Sequence, residues 1–285
     1  MERQFSVEKT VGNSDIRSTA NPSRSRQMLN KVPEITIFFW IIKIMATTVG
    51  ETAADLLNAK LNLGLTYTSL IMTALFLITL VFQFRANKYV PRNYWLVVVL
   101  ISVVGTLISD NLVDNLGVAL RTTTIVFSVA LAATFIAWYV SERTLSIHSI
   151  YTRKREAFYW LAILFTFALG TSGGDYIAEG FKLGYLNSAL IFAALIGIVT
   201  LAYYFFKLNE VTAFWIAYIL TRPLGASLGD FLSQPHADGG LNLGTEGTSI
   251  IFLVTILSLV IFLTRTGMDK TLIPLEEDGT AEISG

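Results

Sequence analysis

The chain has 285 residues, 53% of them apolar and 15% charged, with a mean hydropathy of +0.58. Soluble domains carry about 25% charged residues, so this composition is that of an integral membrane protein. Net charge is zero, Cys is absent and there are only two His, His148 and His236. These features give no electrostatic case for nucleic acid and exclude disulfides, iron–sulfur clusters and thiolate zinc.

Residues 1–30 are polar and rich in Ser, Asn and Arg, without the apolar stretch of a signal peptide. They read as a disordered tail, with Arg24 and Arg26 placed to touch anionic lipid. Eight apolar segments follow at 35–57, 66–84, 93–115, 122–140, 157–179, 187–206, 212–232 and 248–264, each close to the ~20 residues that span a bilayer. The even-numbered segments carry no ionisable side chain, and the odd-numbered ones carry all the charge at membrane depth. The acidic C-terminal residues 267–285 read as a solvated tail.

Each odd segment repeats one pattern: Trp, nine residues, Gly, four residues, Asp. The copies are Trp40–Gly50–Asp55, Trp95–Gly105–Asp110, Trp160–Gly170–Asp175 and Trp215–Gly225–Asp230. A fixed internal period marks a repeat architecture. One repeat is a helical hairpin, a motif helix followed by a plain apolar helix. Because each repeat holds two spans, the four motif helices point the same way. The Trp-to-Trp spacings of 55, 65 and 55 place the longer connection, 141–155, between a first half (31–140) and a second half (156–266). The expected fold is all-α: eight transmembrane helices in four parallel hairpin repeats, two halves of two.

Lys and Arg set the orientation. Sixteen lie in the tails and the loops preceding motif helices, against Lys60, Arg121 and Lys182 in the opposite loops. Both termini are therefore expected in the cytoplasm, with the Trp of each copy near that face as an interface anchor. Leu-Asn-Leu-Gly at 61–64 and 241–244, with Lys-Leu-Gly at 182–184, reads as the outer turn of a hairpin, with Gly reversing the chain.

On a helical wheel with each Trp at zero, the polar residues of the motif helices share an arc of about 140°. It holds Asp55, Asp110, Asp175 and Asp230, then Glu51, Thr106 and Thr171, Thr47, and the cations Lys43 and Arg222. A charge at the bilayer centre costs about 2.5–3.5 kcal/mol on the insertion scale, so the arc is expected to face the bundle interior. Asp114 and Glu179 lie four residues beyond Asp110 and Asp175, toward water. Two cations do not neutralise seven acids. Carboxylates, Thr hydroxyls and carbonyls freed beside Gly or by Pro223 form a hard-cation ligand set, with the four Asp as candidate metal ligands. Lys43 or Arg222 is expected to pair with an Asp when the site is empty.

The runs KVPEITIFFWIIKIMATTVGETAADLL, FYWLAILFTFALGTSGGDYIAE and FWIAYILTRPLGASLGDFLSQP resemble a bacterial family labelled as uncharacterised membrane-anchored proteins. The resemblance covers Lys31 to about Arg265 and implies an integral inner-membrane location. It supplies no site residues. Gly50-Glu51-Thr52 also has a fainter likeness to acidic-motif cation exchangers.

The leading functional expectation is a secondary transporter of a small hard cation, Mn²⁺ first among divalents, coupled to protons through the Asp residues. Its partners would be the bilayer and the ion, and paired halves are compatible with a homodimer. The alternatives are a channel with the Asp residues at its outer mouth, and a sensor or scaffold in which the Asp are interhelical glue. No enzyme and no cofactor are expected. Gly-Asp at 174–175 and 229–230 lacks the wider pattern of an intramembrane aspartyl dyad, and no nucleophile–His pair lies at depth.

Overall fold

The computed structural model describes residues 30–60 and 64–270, the side chains of residues 59 and 60 aside. Residues 1–29 of the tail expected over 1–30, most of the acidic tail and the Leu-Asn-Leu at 61–63 lie outside the described residues. Among the described residues, eight helices are long and apolar enough to cross a membrane, and no strand occurs. They are α1 (Ile37–Asp55), α2 (Gly64–Arg85), α3 (Pro91–Asp110), α4 (Leu120–Glu142), α5 (Arg153–Asp175), α6 (Tyr185–Phe206), α7 (Glu210–Ser233) and α8 (Gly244–Thr266).

Helix starts follow local chemistry. Thr36 and Thr152 accept the Phe39 and Arg155 amides, Asn209 accepts those of Val211 and Thr212, and Pro91 opens α3, the residue types that satisfy or dispense with first-turn N–H groups. Each outer turn contains a Gly at positive φ shortly before or at the start of the even helix: Gly64, Gly117, Gly184 and Gly244, at +71°, +65°, +76° and +75°. Side-chain-bearing residues rarely enter that region.

The odd helices form the inside. Their spans are 56–61% buried, against 11–28% for the even ones, so the charged helices are shielded and the plain ones face lipid. Contacts run α1–α3, α3–α5, α5–α7 and back to α1–α7, a closed ring of four. Each outer helix packs on the inner helix of the next repeat: α2 on α3, α4 on α5, α6 on α7, α8 on α1.

Two belts make the ring cyclic. The aromatic residue before each Trp rests on the Trp of the following repeat: Phe39 on Trp95, Tyr94 on Trp160, Tyr159 on Trp215 and Phe214 on Trp40, with centroids 5.7, 5.5, 6.2 and 5.8 Å apart. Further along, a Cβ on each motif Gly would overlap the residue seven past the next Trp. Gly50 seats Ser102, Gly105 seats Phe167, Gly170 seats Arg222 and Gly225 seats Thr47. The same pair of motif positions meets in all four interfaces at each level, and the second level follows the first along both partners, so the four inner helices are parallel. Small residues permit this close approach between membrane helices.

The belts correct one expectation. Trp95, Trp160 and Trp215 are 2–5% exposed and belong to the aromatic core at one end of the ring, not to a headgroup-level belt. Asp269 differs likewise: it is buried, and its Oδ2 accepts from Tyr89 Oη at 2.6 Å. Asn30 is also packed, its carbonyl accepting the Tyr89 amide at 3.2 Å. Lys31 pairs with Glu156 at 2.6 Å, both 1% exposed, and donates to the Phe84 carbonyl at 3.1 Å. The segments flanking the membrane region are thus tied to the Trp end of the ring.

Candidate functional site

Going from the Trp end to the Asp end, the space between the inner helices changes from aromatic to polar. Past the aromatic belt lies Lys43 of α1, 1% exposed. Its Nζ is 4.1 Å from the Tyr218 ring centroid and 4.6 Å from that of Phe167, and it donates to Thr221 Oγ1 at 3.3 Å. An ammonium over aromatic faces gains cation–π attraction. Among the described residues, Lys43 has no carboxylate partner.

One turn further sits Arg222 of α7, fully buried. Its Nη2 donates to Glu51 Oε2 at 3.0 Å, to Thr171 Oγ1 at 2.6 Å and to Thr106 Oγ1, while Nη1 reaches the Thr47 carbonyl at 3.3 Å. Thr106 Oγ1 also lies 3.4 Å from Glu51 Oε2. Glu51, Thr106 and Thr171 each stand eleven residues past their Trp, and the fourth copy has Ala226 there. Three repeats therefore supply oxygens to one point on the ring axis. The fourth supplies no ligand at that level and fills the point with its own guanidinium, reached from one turn earlier. Charge-assisted bonds of this kind are the stronger class.

This geometry revises the expected pairing. Arg222 binds Glu51 rather than a motif Asp, because it stands seven residues past its Trp, one turn before the eleventh position that its guanidinium reaches and two turns before the fifteenth. Lys43, on the Trp side of Arg222, is remote from the carboxylates and is held by rings instead. Thr47 also serves differently, through its carbonyl to Arg222, while its hydroxyl donates to Ile44 O at 2.6 Å and Thr221 O at 3.4 Å. Thr48, not singled out by the wheel, bridges to Gly225 O at 3.1 Å.

Beyond the Arg222 layer come the four Asp. Asp230 is buried, while Asp55, Asp110 and Asp175 are half-buried; Asp114 and Glu179 are exposed. Among the described residues none of the four motif carboxylates makes a hydrogen bond or an ion pair. They share one region nonetheless, since Glu51 lies in electrostatic range of all four and Asp55 of the other three. No three acidic or His side chains among the described residues converge closely enough to hold a metal ion. The Asp side chains line a space and do not close on a point. In three repeats the Asp is the last α-helical residue, and the chain then widens into a π turn: Leu56–Lys60, Asn111–Asn115 and Tyr176–Gly180. Such widenings gather at functional positions.

Comparison with known families places this pattern. Four successive stretches, 38–89, 93–144, 158–209 and 213–269, match a family described as a Repeat of Unknown Function, DUF347. The chain belongs to the DUF347 family. No curated protein and no solved structure matches it. Each DUF347 repeat begins two residues before its Trp and takes in one inner and one outer helix, so the family unit is the hairpin that carries one quarter of the ring. The wheel reading of the DUF347 repeats missed the aromatic residue before every Trp. Its presence in all four copies, as Phe39, Tyr94, Tyr159 and Phe214, was the available signal for the first belt.

Proposed function

We propose that this protein is a membrane carrier for a small hard cation, which enters from the Asp end and competes with Arg222 for the oxygens of Glu51, Thr106 and Thr171. One observation carries the reading: a cation seat built by three repeats is occupied by the chain's own guanidinium, tethered by the fourth. The unpaired Asp carboxylates beside it form an approach that attracts cations. The excess of Lys and Arg in the Trp-side loops supports a cytoplasmic position for that end, with the Asp space opening to the opposite face of a bacterial inner membrane. Arg222, Lys43 and the aromatic belt fill the ring axis, which favours a carrier over an open pore. Oxygen ligands suit Na⁺, Mg²⁺, Ca²⁺ and Mn²⁺, and Mn²⁺ heads the divalent candidates.

The experiment is flux into liposomes containing the purified full chain, measured with each of those four ions. Saturable uptake of at least one is expected. Asp175→Asn and Asp230→Asn should weaken apparent affinity at least about tenfold, the equivalent of ~1.4 kcal/mol, with circular dichroism unchanged. The saturated bonding of Arg222 favours a second reading, an interhelical clamp without transport. No flux of any ion by the parent, together with unfolding of the Asp variants, would establish the clamp instead.

A further inference from the structure

Gly-Asp doublets close α5 at 174–175 and lie near the end of α7 at 229–230, and both pack on the Arg222 seat. A Cβ at Gly229 would stand 3.3 Å from the Thr48 carbonyl oxygen and 3.5 Å from Glu51 Cβ. One at Gly174 would stand 3.5 Å from Cα of Pro223, the residue after Arg222. Asp175 and Asp230 are therefore the next residues beyond the seat on two of the four inner helices. Asp230 is 9% exposed, yet its carboxylate has no hydrogen bond or ion pair among the described residues, and it lies in electrostatic range of Glu51 and Asp175.

What fills the seat is a nitrogen cation. Its acceptors are one carboxylate, two hydroxyls and a carbonyl, all placed at N–H···O distances. Arg222 satisfies them incompletely from its own side, since its Nε is buried without a partner among the described residues. Its Cζ also lies 5.5 Å from the Phe167 ring centroid, a face on which a displaced guanidinium keeps cation–π attraction. The alkyl stem of Arg222 comes from the Trp side. A free cation arriving from the Asp side would put its head among the same oxygens and trail its stem past Asp175 and Asp230. From the eleventh motif position to the fifteenth is one turn, about 6 Å along the axis. Carboxylates that line this space without closing on a point suit positive charge spread along a molecule.

We infer that the compartment takes an elongated organic dication, a guanidine joined by a short alkyl chain to an amine. The guanidinium head displaces Arg222 at Glu51, Thr106 and Thr171, and the ammonium lies between Asp175 and Asp230. A guanidinium and an ammonium carry only donors, which matches a lining made only of acceptors. Joining the two heads makes the second contact intramolecular, so the pair binds better than either alone. The inference rests on the carrier reading of this compartment and extends its cargo from metal ions to nitrogen cations.

The test is uptake of radiolabelled agmatine and of butylguanidine, which is agmatine without its amine, into liposomes holding the full chain. Na⁺, Mg²⁺, Ca²⁺ and Mn²⁺ are measured beside them. Agmatine should enter saturably, inhibit uptake of whichever metal ion moves, and show a KM at least about tenfold below that of butylguanidine. In the Asp175→Asn/Asp230→Asn double variant that advantage should shrink to about threefold or less, since the contacts to charge are lost. The comparison of the two guanidines needs only the parent, so it decides the matter even where the variant fails to fold. Agmatine no better than butylguanidine, or agmatine that neither moves nor competes while a metal ion is carried, would overturn the inference and leave the carrier standing. Agmatine uptake without uptake of any metal ion would uphold it and overturn the choice of a hard cation. A parent that moves none of these cations would overturn both.

Discussion

Glu51→Gln and Arg222→Leu, each made alone, should destabilise the protein by about 3–5 kcal/mol, because each strands a buried group whose partner is gone. Glu51→Gln leaves a guanidinium with hydroxyl and carbonyl acceptors only, and Arg222→Leu leaves a carboxylate facing Thr106 and four further acids. At about 2–4 °C per kcal/mol, either variant should melt roughly 10 °C below the parent in detergent. The double variant Glu51→Leu/Arg222→Leu removes both charges and should regain most of that loss, since replacing a buried pair by apolar groups is often close to neutral. The carrier reading adds that the double variant folds yet moves no cation, having lost the seat together with its plug. Free guanidinium at millimolar concentration should raise the melting temperature of Arg222→Ala and not that of the double variant. Single variants with melting temperatures like the parent's would show that Arg222 is not buried against Glu51.

The second large effect concerns the glycines. Gly170→Leu should destabilise by about 4 kcal/mol or more, the range reserved for a change that disrupts a core. A Cβ at position 170 would run into the Arg222 side chain, with Arg222 Cβ at 2.5 Å and Pro223 Cδ at 3.1 Å. Overpacking alone costs about 1–3 kcal/mol, and displacing Arg222 from Glu51 adds to it. Gly197, on the lipid-facing helix α6, is the control: nothing lies within 4 Å of a Cβ there. Gly197→Leu should be neutral or stabilising by up to ~1 kcal/mol, through helix propensity. The two melting temperatures, measured side by side, check the ring packing. Equal effects at both positions would remove the case for close α5–α7 contact.

Much of this architecture could be read from the chain because the repeat fixes it. A Trp–Gly–Asp spacing recurring every two spans makes the motif helices parallel, and charge confined to alternate spans makes those the inner ones. Legible for the same reason was the shared face: Glu51, Thr106, Thr171 and Arg222 lie in one arc of the wheel and meet inside the ring, while the four Asp of that arc come within electrostatic range of Glu51 without closing on one another. A wheel describes one helix at a time, so it carried no information on which residue of one repeat touches which of the next. That Gly170 receives Arg222 depends on a stagger of three residues between neighbouring helices. Nor does a wheel resolve one turn from the next along the axis, which is why Arg222 was expected at an Asp and meets Glu51. Trp160 looked like an interface anchor because Trp at a span's basic end commonly is one. It is buried because Tyr94, from the neighbouring repeat, lies against it. Lys31–Glu156 and Tyr89–Asp269 join residues 125 and 180 positions apart, and no local pattern announces such pairs.

The central claim is that four parallel repeats present their carboxylates to one space open to water at one end. The chain has no Cys, so Asp55→Cys, Asp110→Cys, Asp175→Cys and Asp230→Cys each place a single thiol in it. A charged, membrane-impermeant thiol reagent should label all four from the same side of a sealed vesicle, Asp230→Cys slowest because it is the most buried. Labelling of any one only from the opposite side, or only by a lipid-soluble reagent, would contradict the shared compartment and the transport reading built on it.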